Sequence, residues 1–228
     1  MKTVVALFDC DGTLYSAQFG RGLLKYASEH QRKGAVRTYY TVILLPYILN
    51  KFGRSTDEKF LRPLIANLAR LIQGMSEQQA GDAFEWVVHE YLIPTQRQDV
   101  VARLHKHQLQ GYKVVLVSGV FLPVLERIAL SFDVDGYVGT QIKFRDGQYT
   151  GHIIPSVITG NDKDRYTREF FSSRSIDIDW DASYAYADSI TDQSLFILVG
   201  NPVAVYPDSK LQGLVKIKSW EILGTPKA

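Results

Sequence analysis

Cysteine is nearly absent from this chain. Cys10 stands alone among 228 residues, which excludes an intramolecular disulfide and fits a reducing compartment. Long apolar runs are missing too. The run after Thr3 reaches only Val4-Val5-Ala6-Leu7-Phe8 before Asp9 interrupts it, too short for a secretion signal, and nothing approaches the ~20 apolar residues of a membrane span. Neither sign of charge dominates: the net charge is +2, which leaves no electrostatic footprint for nucleic acid. The chain contains no GxxxxGK[ST] loop and no dinucleotide-binding glycine pattern. His30, His89, His105, His107 and His152 lack zinc-ligand spacing and read as surface residues. With 46% hydrophobic and 22% charged residues, the expectation is a soluble, cytoplasmic protein of one large domain, or a core domain carrying an insertion.

What is present centres on Asp9-Cys10-Asp11-Gly12-Thr13, directly after the apolar run. A short buried run that stops at a glycine reads as a strand ending in a turn. Open α/β sheets bind their ligands at that end of their strands. Asp9 and Asp11 lean to one side of the strand and Cys10 to the other. Acids this close repel each other, so a fold that keeps both has a cation, a shared proton or a reaction to use them.

Four helical segments follow. Ser16 is positioned to cap the first, with Phe19, Leu23 and Ala27 at helical spacing and Gly34 ending it. The second, Val36 to Phe52, is apolar nearly all round and contains Pro46. The third runs from Ser55 to Gly74, and the fourth starts at Ser76 with Gln79 in the capping-box position. Residues 16–94 thus read as a helical bundle inserted into another domain. Beyond Pro94, strands and helices alternate: a helix over 96–110, a strand over 113–119, a helix over 121–131 and a short strand at Tyr137-Val138. A hairpin turning at Asp146-Gly147, a helix over 161–172 and a strand over 183–187 come next, then short strands at 202–205 and 214–217. Such alternation predicts an α/β fold, a parallel sheet covered by helices on both faces.

The strands end in polar clusters: Asp9, Asp11 and Thr13 on the first, Ser118 and Gly119 on the second, Asp188 and Asp192 on a later one. Lys163 lies at the start of a helix, in Gly160-Asn161-Asp162-Lys163. Singly, Ser118 is a strand-end serine, Lys163 a solvated lysine and either aspartate an ordinary cap. Together, DCDGT, the strand ending in SG, the lysine of GNDK and DSITD resemble the four motifs of the haloacid dehalogenase superfamily of phosphohydrolases. The likeness is nearest to subfamily IB, the phosphoserine-phosphatase-like branch, over the whole chain. One departure is Ala187, where many relatives carry glycine.

The resemblance implies a Rossmann-like (HAD-like) core over residues 1–15 and 95–228, with an all-helical cap over 16–94. It implies a Mg²⁺-dependent phosphomonoester hydrolase acting through an aspartyl-phosphate on a small organic phosphate. In that scheme Asp9 is the nucleophile and Asp11 the acid and base. Mg²⁺ sits between Asp9, the backbone carbonyl of Asp11 and Asp188, with Asp192 supporting it directly or through water. Ser118 and Gly119 hold the phosphoryl oxygens, Lys163 offsets their charge, and Thr13 orders the loop. A phosphotransferase or mutase using the same intermediate is the alternative, and a non-catalytic membrane-docking module another. A cysteine phosphatase would need an arginine where Ser16 stands, and a dehalogenase proper would lack Asp11.

The partner expected is a small-molecule phosphate ester, with no nucleic acid, on a monomer or homodimer. The apolar second helix reads as buried inside the bundle or between subunits; the alternative is an interfacial helix, flanked by Arg32, Lys33, Arg37, Lys51 and Arg54, that lies on a membrane surface or accepts a lipid tail. Tyr39, Tyr40, Tyr47 and Phe52 would suit an amphipathic substrate, and Arg21, Arg54 and Arg62 are the cap's candidate anion contacts.

Overall fold

A computed structural model describes residues 2–49 and 58–225, the side chains of 44–49 and 58–60 excepted. The organising strand is β1 (Val5–Phe8), every residue of which is buried. Ala6 and Phe8 pack into one apolar cluster, Val5 and Leu7 into a second, as alternation along a strand buried on both faces requires. On one side β1 pairs in parallel with β2 (Lys113–Phe121), on the other with β5 (Tyr184–Ala187). With β3 (Gly136–Arg145), β4 (Gln148–Ile154), β6 (Asn201–Val205) and β7 (Glu221–Leu223), the sheet has the order β4-β3-β2-β1-β5-β6-β7. Among the described strands only the β3–β4 pair is antiparallel. Strand order reverses direction at β1, which is where doubly wound sheets open a crevice.

Between β1 and β2 the described residues are helical: α1 (Phe19–Glu29), α2 (Lys33–Leu49), α3 (Glu58–Leu68), α4 (Glu77–Trp86) and α5 (Gln98–Leu109). The capping box at the start of α4 forms as its sequence predicts, Ser76 Oγ accepting from Gln79 N at 3.2 Å and Gln79 Oε1 from Ser76 N at 3.0 Å. Both connections to this helical region run side by side. Ser16 N donates to Thr95 O at 2.9 Å and Arg97 N to Leu14 O at 2.8 Å. The remaining helices are α6 (Leu122–Phe132), α7 (Asn161–Ser172), α8 (Gln193–Leu198) and α9 (Ser209–Lys218). No described helix is long and apolar enough to cross a membrane.

Several sequence expectations need correction. Gly34 does not end α1, which stops at Glu29; it lies inside α2. Residues 137–138 and 141–144 are parts of one long strand, β3. Residues 214–217 are helical rather than extended: Asp208 Oδ1 accepts from Leu211 N at 2.8 Å, and Leu211 and Val215, four apart, bury one face. The last strand is instead β7, three residues further on, and α8 was not anticipated. His107 is buried, at 4% exposure, rather than on the surface. Lys51, Phe52, Arg54 and the expected helix start at Ser55 lie outside the described residues, as does the side chain of Tyr47.

Candidate active site

Asp9 follows β1 and is fixed from the neighbouring strand, its N–H donating to Tyr186 O at 2.9 Å. The chain then turns sharply, with Thr13 N and Tyr15 N both donating to Cys10 O. Gly12 makes this turn at φ +80°, and a Cβ there would lie 2.3 Å from Asp188 Oδ2. A side chain is excluded twice, by backbone conformation and by the acid packed against it. Thr13 Oγ1 donates to Asp9 Oδ2 at 3.3 Å and reaches Asp188 Oδ1 at 3.5 Å.

Opposite the turn, α7 delivers Lys163 from its first turn. The ammonium donates to Asp9 Oδ1 at 2.7 Å and pairs with Asp192 Oδ1, all three side chains being almost wholly buried. Asp188 follows β5, and Asp192 closes the short helical turn after it. Carboxylate oxygens of Asp9, Asp188 and Asp192 lie within 4.8 Å of one another. The loops are tied together behind them, Ser194 Oγ donating to Gly160 O at 2.7 Å.

Asp11 has a different environment. Its Oδ1 accepts from Phe19 N at 2.8 Å, so it closes the start of α1, the part expected of Ser16; Gln18 occupies the cap position without a side-chain bond. Burial pushes the Asp11 carboxyl up to about 8; the Phe19 amide opposes this, while Asp9 and Asp188 add to it. Burial also raises Asp192, with Lys163 working against it and Asp9 adding to the rise. For Lys163, burial disfavours the charge, but Asp192 and Asp9 outweigh it and hold the ammonium protonated. Cys10 is wholly buried and its thiol is pushed up by burial and by Asp9 and Asp11, which leaves it an inert packing group.

The structure therefore brings Asp9, Asp11, Asp188, Asp192 and Lys163 to one place. Ser118, 1% exposed, meets Cys10 within the same turn region, as expected from the register that sets Phe8 beside Leu116. Gly119 faces Ile158 O and the Ile65 side chain of α3, each 3.2 Å from where a Cβ would stand, so the absent side chain lets α3 approach the strand end. Arg62 does not present itself as an open anion contact. Its guanidinium donates to Asp162 Oδ2 at 2.7 Å and to Val157 O at 3.1 Å, fastening α3 beside Lys163. Arg21 is exposed.

Two features escaped sequence reasoning. Thr140, wholly buried, donates to Gly119 O at 2.8 Å and accepts from Ile158 N at 3.1 Å, bracing the second strand end. Asp162, next to Lys163, was the only sequence signal for the Arg62 latch. Chemically, Asp9, Asp188 and Asp192 share a single ammonium, so the cluster carries excess negative charge when these acids are ionised. Hard oxygen donors at this separation suit Mg²⁺.

Comparison with known proteins follows the same lines. A model of the haloacid dehalogenase-like hydrolase family matches residues 6–196. A histidinol-phosphatase of Neisseria meningitidis is 26% identical over 223 residues, 96% of this chain and 97% of the relative. A phosphoserine phosphatase of Mycobacterium tuberculosis is 27% identical over 227 residues, 96% of this chain and 70% of its own. Among solved structures, a protein of unknown function from Bordetella pertussis Tohama I has a TM-score of 0.84 at 22% identity, covering 98% of this chain and 99% of that one. A phosphoserine phosphatase carrying a phospho-aspartyl intermediate analogue has a TM-score of 0.64 at 18% identity, covering 97% and 93%; both share the fold.

Proposed function

The chain belongs to the haloacid dehalogenase-like hydrolases, and on that premise we propose that it is a Mg²⁺-dependent phosphomonoesterase acting on small phosphorylated alcohols, phosphoserine-like compounds among them. The observation that carries this reading is the Asp9–Lys163 bond of 2.7 Å at the edge of a three-aspartate cluster. Phosphatase-named relatives spanning nearly the whole chain support it.

Asp9, oriented by Thr13 and Lys163, attacks phosphorus; an Asp9 oxygen–phosphorus bond forms as the ester oxygen leaves. Asp11, with its carboxyl raised to about 8, holds the proton that the leaving alkoxide takes. It then accepts a proton from the water that attacks the aspartyl-phosphate, which frees Asp9 and inorganic phosphate. Ser118 and the Gly119 N–H hold phosphoryl oxygens, and Lys163 balances their charge. Asp9, Asp188, Asp192 and the Asp11 carbonyl would hold Mg²⁺, which supplies charge neutralisation at the transferring phosphoryl group when bound. Residues 1–15 and 95–228 act as the catalytic core and 16–94 as a cap, the adjacent crossings at Ser16–Thr95 and Leu14–Arg97 serving as the joint.

Phosphate release from p-nitrophenyl phosphate, phosphoserine and histidinol phosphate, with Mg²⁺ and with EDTA, tests the reading. Hydrolysis without an added acceptor, dependent on the metal and lost in Asp9→Asn while the fold stays intact, is expected. Undiminished turnover by Asp9→Asn would refute the nucleophile.

A further inference from the structure

From Val117 to Phe121 strand β2 takes four steps, while its partner β3 takes only two, from Val138 to Thr140. Ser118, Gly119 and Val120 therefore bulge out of the ladder, and bulges beside active sites re-aim the groups they carry. A bulged backbone leaves its ladder partners behind, and a glycine within it has the widest choice of φ and ψ. Something outside the ladder has to hold Gly119 still.

Thr140 does so with one hydroxyl. The residue is wholly buried, and its hydroxyl bonds in both directions: Oγ1 accepts from Ile158 N at 3.1 Å and donates to Gly119 O at 2.8 Å. The direction is forced. An amide N–H can only donate, so the hydroxyl proton is left for the carbonyl. Ile158 belongs to the buried run 157–160 that leads into α7. Its own carbonyl oxygen lies 3.2 Å from where a Gly119 Cβ would stand. Two residues on, Gly160 O accepts from Lys163 N at 3.1 Å and from Ser194 Oγ at 2.7 Å. One side chain thus ties the strand end that bears Ser118 and Gly119 to the loop that presents Lys163.

Resting on the phosphatase reading above, we propose that Thr140 is a positioning residue that locks the Ser118–Gly119 bulge to the Lys163 loop. Hydroxyl, amide and ammonium are thereby set to meet the same phosphoryl group. Preorganised donors are effective because they need not move as charge develops, and a displacement of about 1 Å can cost about a hundredfold in rate. Without the hydroxyl, Gly119 O and Ile158 N–H both lose a partner in a buried space, and bulge and loop are free to shift independently.

Thr140→Val, close to threonine in shape, removes the hydroxyl, and Thr140→Ser keeps it. Thr167 on α7 supplies the control: it is equally buried, and its hydroxyl has no hydrogen-bond partner among the described residues. With Mg²⁺ present, Thr140→Val should lower kcat/KM for p-nitrophenyl phosphate by about tenfold or more. Binding of inorganic phosphate, followed by NMR of the Gly119 and Lys163 amides, should weaken by a similar factor. Thr140→Ser and Thr167→Val should each stay within about threefold of the wild type in both measurements. In the wild type, the Ile158 amide should exchange with solvent as slowly as the ladder amides of β2, a measurement that needs no variant to fold. A Thr140→Val protein that binds phosphate like the wild type, a Thr140→Ser protein as impaired as Thr140→Val, or an Ile158 amide that exchanges as fast as an exposed loop would each overturn the inference. A wild type that binds phosphate but hydrolyses no ester refutes the phosphatase reading and leaves the positioning role standing; one that binds none refutes both.

Discussion

Replacing Lys163 with methionine tests the electrostatics of the aspartate cluster most directly. Methionine keeps most of the stem volume, so the cavity contribution is small and the change is chiefly the loss of one charge. Side-chain exposures are 6% for Lys163, 6% for Asp9 and 4% for Asp192, so water does little to screen the acids left behind. Breaking a buried ion pair costs about 3–5 kcal/mol. Two acids lose their cation here, but Asp192, already raised by burial, can take up a proton and relieve one of them. The lower end, about 3 kcal/mol, is therefore expected, or about 6–12 °C in Tm for a chain of this length. The sign of the pH dependence follows from the same groups. An acid whose folded pKa lies above its unfolded one stabilises the fold relatively more at low pH, and that contribution is lost as pH rises through the raised pKa. The deficit of Lys163→Met should therefore widen from pH ~5 to pH ~8. Mg²⁺ should recover part of it by replacing the missing positive charge. Urea unfolding at the two pH values, with EDTA and with Mg²⁺, measures all of this. A variant as stable as the wild type at the higher pH without metal would show that the buried acids do not need Lys163.

Further outcomes are expected. Gly12→Ala should lose about 1–3 kcal/mol and bind Mg²⁺ more weakly, since a Cβ 2.3 Å from Asp188 Oδ2 turns that acid away; a Mg²⁺ titration checks it. Asp188→Asn should raise the Mg²⁺ concentration needed for half-maximal turnover by about tenfold or more, and an unchanged titration would remove Asp188 from the metal site. His107, neutral in the fold with a pKa of about 4 against 6.5 when unfolded, contributes stability that is complete above pH ~6.5 and lost as pH falls toward ~4, at up to about 1.4 kcal/mol per pH unit. His107→Phe should flatten that part of the stability curve in unfolding measurements.

The sequence by itself determined the kind of fold and which polar groups stand at the strand ends. Buried strands must be short and apolar, and a ligand-binding turn must break them with polar residues, so Val4–Phe8 followed by DCDGT could be read without coordinates. The capping box at Ser76 and the hairpin at Asp146-Gly147 were legible for the same reason, each being a local rule satisfied within a few residues. Tertiary structure decided what depends on neighbours distant in sequence. Whether residues 214–217 were strand or helix turned on the Asp208 cap and the shared face of Leu211 and Val215, where β-branched composition had pointed the other way. His107 read as a surface group because spacing along α5 cannot show that Tyr184 and Tyr186 enclose it. Asp11 became the cap of α1, and Arg62 the latch on Asp162, through contacts set by how the helices settle on the sheet. Local patterns fix what each segment is; long-range packing fixes which charges share a buried space, and that is where their chemistry is set.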